Sequence, residues 1–204
     1  MSIALITGAT SGFGKAIALK FAEHGYDVII TGRREERLTQ LEHIIRDTYD
    51  VKVFTLCFDV RDRVKAEEEL NALPHDWKEI DVLVNNAGLA SGLSTIQEGD
   101  INDWEIMIDT NVKGLLYVSR TVMPWMVKRN KGHIINIGSI AGKEVYPKGN
   151  VYCATKHAVD AISKAMRIDM LPHGIKVTAI HPGAAETEFS LVRFKGDADK
   201  AKQV

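Results

Sequence analysis

Ile3-Ala4-Leu5-Ile6-Thr7-Gly8-Ala9-Thr10-Ser11-Gly12-Phe13-Gly14 is the stretch on which the fold turns. Ile3 to Thr7 is a short apolar run bounded by glycine and reads as a buried strand. A helical pattern runs from about Phe13 to His24, with Ile17 and Phe21 four residues apart on one face. The turn between them spaces Gly8, Gly12 and Gly14 as G-x-x-x-G-x-G. Glycine lets backbone N–H groups approach an anion closely, and a helix N-terminus favours negative charge beside it. The turn therefore reads as a cradle for a pyrophosphate, built from Gly8, Thr10, Ser11, Gly12, Phe13 and Gly14. An ordinary tight turn is the blander alternative.

Outward from this unit the alternation continues. His24-Gly25-Tyr26 stops the helix, Asp27 to Thr31 is a second strand, and Arg34 to Thr48 is amphipathic, with Leu38, Leu41, Ile44 and Ile45 expected on one face. Val51 to Phe58 reads as a third strand, Val64 to Leu73 as a helix ended by Pro74, and Asp81 to Val84 as a fourth strand. Trp104 to Arg129 is helical, with an expected break around Thr110 to Gly114. Gly132 to Ile137 is a fifth strand, Val151 to Leu171 a long helix stopped by Pro172 and Gly174, and Lys176 to Ile180 a sixth strand. Strict alternation implies right-handed crossovers and a parallel sheet covered by helices. The fold class is α/β, a single Rossmann-type doubly wound domain over residues 1–204. Ligands of such folds bind at the carboxyl ends of the strands, so the strand-exit loops carry the functional argument.

Composition narrows the classes. Lys+Arg 26 against Asp+Glu 27 gives a net charge of −1, and the isoelectric point near 6.7 lacks the basic excess of a nucleic-acid binder. Hydrophobic residues at 45% and charged residues at 26% match a folded globular chain. No apolar run reaches the roughly 18 residues a membrane span needs. No secretory signal pattern is visible, and Cys57 and Cys153 make no disulfide framework, so a cytoplasmic location is expected. The seven histidines show no metal-ligand spacing. His157 lies on another helical face from Tyr152, and Cys153 reads as packing.

The second exit loop is Gly32-Arg33-Arg34. An NAD site usually places an acid at the end of this strand for the ribose hydroxyls. Here two arginines open a helix whose dipole disfavours cations. The extra phosphate of NADP explains Arg33 and Arg34 better than a solvated pair matched by Glu35 and Glu36. In the third loop, Asp59 before Val60 could accept from an adenine amino group or cap the helix that follows. The fourth, Asn85-Asn86-Ala87-Gly88, suits a turn. The fifth carries Ser139, and on the next helix Tyr152 and Lys156 lie four apart and share a face. A surface Tyr–Lys pair is the bland reading. The chemical one is coherent: hydride transfer to a carbonyl leaves an oxygen in need of a proton. A phenol with a pKa near 10 needs a nearby ammonium to supply or take that proton at neutral pH. Tyr152 would be the general acid or base, Lys156 the charge that lowers its pKa, and Ser139 the hydrogen bond that holds the oxygen.

Taken in order, T-G-A-T-S-G-F-G (7–14), N-N-A-G (85–88), Asn111 within D-T-N-V-K-G, Ser139, Y-C-A-T-K (152–156) and P-G-A-A-E-T (182–187) resemble the short-chain dehydrogenase/reductase family over essentially the whole chain. The resemblance implies a catalytic tetrad of Asn111, Ser139, Tyr152 and Lys156, with Asn111 supporting a proton relay through water to the lysine. It implies cofactor contacts from Asp59, Val60, Asn86, Ala87, Gly88, Tyr152, Lys156, Pro182 and Gly183, with Thr187 on the nicotinamide carboxamide. The stretches G-R-R-E-E-R-L (32–38), I-D-T-N-V-K-G-L (108–115), G-H-I-I-N-I-G-S-I-A-G (132–142) and T-E-F-S-L-V-R-F-K-G-D (187–197) are similar to NADP-dependent 3-hydroxy acid dehydrogenases, the serine and allo-threonine dehydrogenases among them. That group oxidises the β-hydroxyl of a small acid of the serine, allo-threonine or 3-hydroxyisobutyrate class.

Phe189 to Phe194 follows the nicotinamide threonine, where a lid would close. Arg193, between Val192 and Phe194, is the candidate clamp for a substrate carboxylate through two parallel bonds; a surface arginine is the alternative. Two other functions stand beside the dehydrogenase. A general carbonyl or 3-oxoacyl-thioester reductase would be indifferent to Arg193. A non-catalytic NADP-binding sensor could lose Tyr152 or Lys156 without penalty. Leu115 to Val127 reads as apolar nearly all round the helix, which, with the family, points to a homodimer or homotetramer. Family members continue past the lid with a helix and a seventh strand, so the domain is expected to be incomplete at its C-terminal side.

Overall fold

The computed structural model describes residues 2–185 and 187–201. Glu186 of the P-G-A-A-E-T motif and the terminal Lys202-Gln203-Val204 lie outside the described residues. Six parallel strands form one sheet: β1 (Ile3–Ile6), β2 (Asp27–Gly32), β3 (Val53–Cys57), β4 (Ile80–Asn85), β5 (His133–Ile137) and β6 (Lys176–Ile180). Their order is β3-β2-β1-β4-β5-β6. The chain winds outward from β1 to β3, returns to the middle, and winds outward again from β4. The reversal lies between β1 and β4, and their carboxyl ends open the crevice where such sheets bind ligands.

Side chains alternate between the faces of the strands, as the period of two requires. Leu5, Ile29, Leu83 and Ile134 enter the core beneath α3 (Arg63–Asn71), α5 (Leu115–Arg129) and α6 (Asn150–Met170). Ala4, Ile6, Val28, Ile30, Val82 and Val84 face α1 (Gly12–Glu23) and α2 (Glu35–Thr48). Full burial of each leucine or isoleucine stabilises the fold by about 1.5–3 kcal/mol. On this second face Ile135 and Ile137 are only partly buried and Ile180 is exposed, because the described helices do not extend over β6.

Three expectations change. Ile44 is 42% exposed, whereas Leu38, Leu41 and Ile45 are buried; these three fill the inward stripe of α2 and leave Ile44 at its edge. The pattern ahead of α5 does not break. Instead α4 (Ile101–Ile108) runs through a π-helical turn at Asp109–Gly114 straight into α5. The wider turn directs Asn111 inward and brings Gly114 so close to the third exit loop that a Cβ there would meet Val60 Cγ2 at 2.7 Å. Finally, α5 is not apolar all round. Leu116, Arg120, Pro124 and Lys128 form its exposed stripe, and Arg120 pairs with Glu67.

A buried polar ladder supports the exit loops from below. Asn85 and Asn136 are register partners on β4 and β5, and Asn85 Nδ2 donates to Asn136 Oδ1 at 2.8 Å and to Ser119 Oγ at 2.9 Å. Asn136 Nδ2 donates in turn to Ser163 Oγ at 2.9 Å. Partnered in this way, the amides tie both strands to α5 and α6 with much of their desolvation cost offset.

Candidate active site

The exit loops converge on a cleft of about 1070 Å³. Every site residue expected from the sequence lines it except Asn111. The glycine-rich turn is built by close approach. Gly8 and Gly12 adopt φ of +66° and +50°, and a Cβ on Gly14 would stand 2.2 Å from the Gly8 carbonyl oxygen and 2.4 Å from Asn86 Nδ2. Asn86 donates from that nitrogen to the carbonyls of Thr7 and Gly8, while Thr7 Oγ1 accepts from the backbone N–H groups of Asn86 and Ala87 at 3.0 Å. The side chain of Asn86 thus staples the first exit loop to the fourth. No side chain caps α1 and no acid stands in its first turn. Its N-terminal N–H groups therefore suit a pyrophosphate, and the cleft fits a dinucleotide.

The arginines divide. Arg34 turns inward, donating to Thr10 Oγ1 at 2.8 Å, to Ser11 Oγ at 2.9 Å and to Glu188 at 3.1 Å. Gly32 permits this, because a Cβ there would meet Thr10 Cγ2 at 2.6 Å. Arg33 extends over Asp59 at 3.5 Å. Asp59 is not a helix cap: Asp62 caps α3 by accepting from Lys65 N at 3.0 Å. Burial works to raise the Asp59 carboxyl, but bonds from the Arg61 guanidinium and backbone, with Arg33 beside them, outweigh it and hold the group below the usual range. Donors from its own loop already occupy the carboxylate.

Tyr152 and Lys156 project from the buried face of α6, and Ser139 faces them from the fifth exit loop. Ser139 Oγ accepts from Ala141 N at 3.1 Å and stands beside the Tyr152 phenol. Burial pushes this phenol above its ordinary pKa, and Ser139 and Arg193 only partly offset that. Lys156 projects from the same helix face. Its Nζ donates to the Ile137 carbonyl at 2.9 Å and stands 5.9 Å from the Tyr152 ring centroid.

Burial pushes Lys156 down to about 8. The charged form is disfavoured in the fold, so the cost is present in full below about pH 8 and disappears as pH rises toward 10.5. Lys156→Met is expected to raise stability at pH 7 by about 1–3 kcal/mol, after allowing for an unpaired Ile137 carbonyl, while abolishing turnover. Urea melts across pH check it. A gain that fails to shrink as pH rises through this window would show that another cause is at work.

Asn111 stands behind the cleft rather than in its wall. Its Oδ1 accepts from Leu89 N at 2.8 Å, and its Nδ2 donates to Leu89 O at 2.8 Å and Thr155 Oγ1 at 3.0 Å. A Cβ on Gly88 would lie 3.2 Å from Asn111 Oδ1 and 3.4 Å from Lys156 Nζ. Glycine at 88 thus keeps the space between these two side chains clear.

Over the cleft lies α7 (Phe189–Arg193), followed by α8 (Ala198–Ala201). Thr187 packs on the glycine-rich turn, within 3.5 Å of where a Gly12 Cβ would be. Phe189 stacks edge-on against Tyr152, with centroids 5.6 Å apart. Arg193 is buried, with its guanidinium 5.6 Å from the Tyr146 ring and 5.9 Å from the Tyr152 ring. Its Nε donates to the Gly92 carbonyl at 3.0 Å, and Gly92 N returns a bond to its carbonyl at 2.9 Å. Tyr146 and Glu188 were not anticipated from the sequence. Nothing in their local spacing marks them, because their neighbours are brought by distant elements.

The family described as short chain dehydrogenase matches residues 2–197. The chain is 54% identical over 200 residues to the NADP-dependent 3-hydroxy acid dehydrogenase YdfG of Salmonella typhi, covering 98% of this chain and 79% of that protein. It is 46% identical over 196 residues to sulfoacetaldehyde reductase 2 of Chromohalobacter salexigens, covering 96% and 77%. The solved closed form of serine dehydrogenase complexed with NADP+ superposes with a TM-score of 0.94 at 50% identity, covering 98% of this chain and 80% of that one.

Proposed function

The chain belongs to the short-chain dehydrogenase family, and we propose that it exchanges a hydride between NADP(H) and the β-hydroxyl or β-keto group of a small 3-hydroxy acid. The observation that carries the substrate class is the buried Arg193 beside the Tyr152 ring. A guanidinium has five N–H donors. Nε is committed to Gly92, and the guanidinium lies 5.6 Å from the Tyr146 ring. Donors remain for a carboxylate, next to the phenol that handles the hydroxyl proton. In a 3-hydroxy acid a single carbon separates the carbinol from the carboxylate, so one small molecule can meet both groups.

Bound in this cleft, NADP supplies hydride exchange at its nicotinamide ring. The chain supplies the rest. Tyr152, held above its ordinary pKa by burial, is protonated at neutral pH and donates to the carbonyl oxygen in reduction. Ser139 orients that oxygen, and Lys156, with its Nζ 5.9 Å from the Tyr152 ring, sets the charge beside the phenol. The α1 N-terminus, Thr10, Ser11 and Arg34 would hold the cofactor phosphates, and Thr187 would hold the carboxamide. Arg34→Ala is expected to weaken NADP+ binding about 10–100-fold with little change for NAD+, read by fluorescence titration. Equal losses on both nucleotides would refute the assignment.

The 46% identity to a sulfoacetaldehyde reductase favours a second reading, in which Arg193 holds a sulfonate of the same charge. NADP-linked turnover across serine, allo-threonine, 3-hydroxyisobutyrate, sulfoacetaldehyde and uncharged alcohols separates the two. Preference for uncharged substrates would sink both. No helix among the described residues is long and apolar enough to cross a membrane. Exposed Ile101 and Ile108 on α4 and Leu116 on α5 support a homodimer through these helices. Light scattering showing only monomer would contradict it.

A further inference from the structure

Glu188 takes no part in the chemistry above, yet it reaches from the start of the lid across the cleft. Its carboxylate accepts from Arg34 Nη1 at 3.1 Å and, through both oxygens, from Arg37 Nη1 at 2.8 Å. Arg34 also donates to the hydroxyls of Thr10 and Ser11. Thr10, Ser11, Arg34 and Arg37 together form a donor set suited to a phosphate, and a lid carboxylate engages the two arginines of that set.

We propose that Glu188 is a selectivity latch: its carboxylate and the 2′-phosphate of an NADP-type cofactor compete for Arg34 and Arg37, so the phosphorylated cofactor releases the lid and the unphosphorylated one does not. This rests on the NADP reading above. Each ion pair is about 40% exposed on both sides, 41%/42% for Arg34 and 40%/42% for Arg37. Pairs this open are weak and can be displaced. A phosphate carries up to twice the charge of a carboxylate and has three acceptor oxygens, so it wins the guanidinium groups. The neighbours of Glu188 transmit the exchange. Thr187 lies on the pyrophosphate turn and Phe189 on the catalytic phenol. The far end of the lid is fastened separately, by Arg193 to Gly92 and by Lys195 to Asp103 at 2.9 Å.

The test uses the full chain with adenosine 2′-monophosphate and adenosine 5′-monophosphate as probes. Glu188→Gln is expected to bind the 2′-phosphate about three- to tenfold more tightly than wild type and the 5′-phosphate equally. Hydrogen exchange of the backbone amides of Phe189 to Val192, next to the latch, supplies a readout independent of turnover. In wild type the 2′-nucleotide accelerates it and the 5′-nucleotide does not; in Glu188→Gln it is fast from the outset and unresponsive. Arg37→Ala, which leaves Arg34 and both hydroxyls in place, is expected to show the same fast exchange. Wild-type affinity and exchange behaviour in Glu188→Gln would overturn the latch and leave the cofactor reading standing. A wild-type protein indifferent to the position of the phosphate would overturn the cofactor reading and the latch with it.

Discussion

Tyr152→Phe is expected to lower kcat by about 10³-fold, within the range of general acid–base contributions, while NADP+ affinity stays within about twofold. The phenyl ring keeps its edge-on contact with Phe189, so the variant removes a proton donor without opening a cavity. Ser139 Oγ still accepts from Ala141 N, which leaves its loop in place. Because burial holds the phenol above its ordinary range, wild-type oxidation should rise with pH from neutral into the alkaline region, where Tyr152 becomes the base. Reduction should stay flat over the same span. The variant should lose the slope as well as the rate. Steady-state kinetics in both directions across pH provide the check, and a residual kcat within tenfold of wild type would remove Tyr152 from the proton-transfer role.

Arg193→Leu is expected to cost about 100-fold or more in kcat/KM on carboxylate substrates and only a few-fold on an uncharged alcohol. Arg193 is 5% exposed, so a carboxylate meeting it is shielded from water and the pair is stronger than one at the surface. The residue also holds the Gly92 carbonyl through Nε, so part of the loss reflects a loosened rim. Arg193→Lys separates the two effects: it keeps the charge and loses the two-pronged geometry. Intermediate activity on acids is expected for it. Parallel losses on acids and alcohols in both variants would make Arg193 a brace for the lid and nothing more.

These expectations rest on features that were unequally legible in the sequence. Local patterns found all six strands to within a few residues, because buried parallel strands are short apolar runs with abrupt ends. The loop glycines were readable for a similar reason: close backbone approach admits nothing larger. Lys156 and Tyr152 could be placed on one helix face, but not the outcome of their electrostatics. That outcome depends on how deeply each is buried and on the Ile137 carbonyl, which lies 19 residues away. Asn111 could be named from its motif but not aimed, since the π-helical turn that directs it has no sequence signature separate from an ordinary helix. The choice between cap and ligand for Asp59 needed the position of Arg61 and the competing cap Asp62. Glu188 was invisible because its partners lie 151 and 154 residues earlier in the chain.

The junction of β1 with β4 has a kinetic consequence. Ile3 pairs with Ile80, and Ile3 N is fastened to Asp81 Oδ2 across 78 residues. The glycine turn leaves β1 and the Asn86 staple leaves β4, so the phosphate cradle cannot close until two distant stretches of chain have met. Non-local pairing of this kind slows folding. Nucleotide affinity should therefore emerge late in refolding, after most helical signal has returned. A nucleotide added at the outset should protect the finished sheet without hastening its assembly.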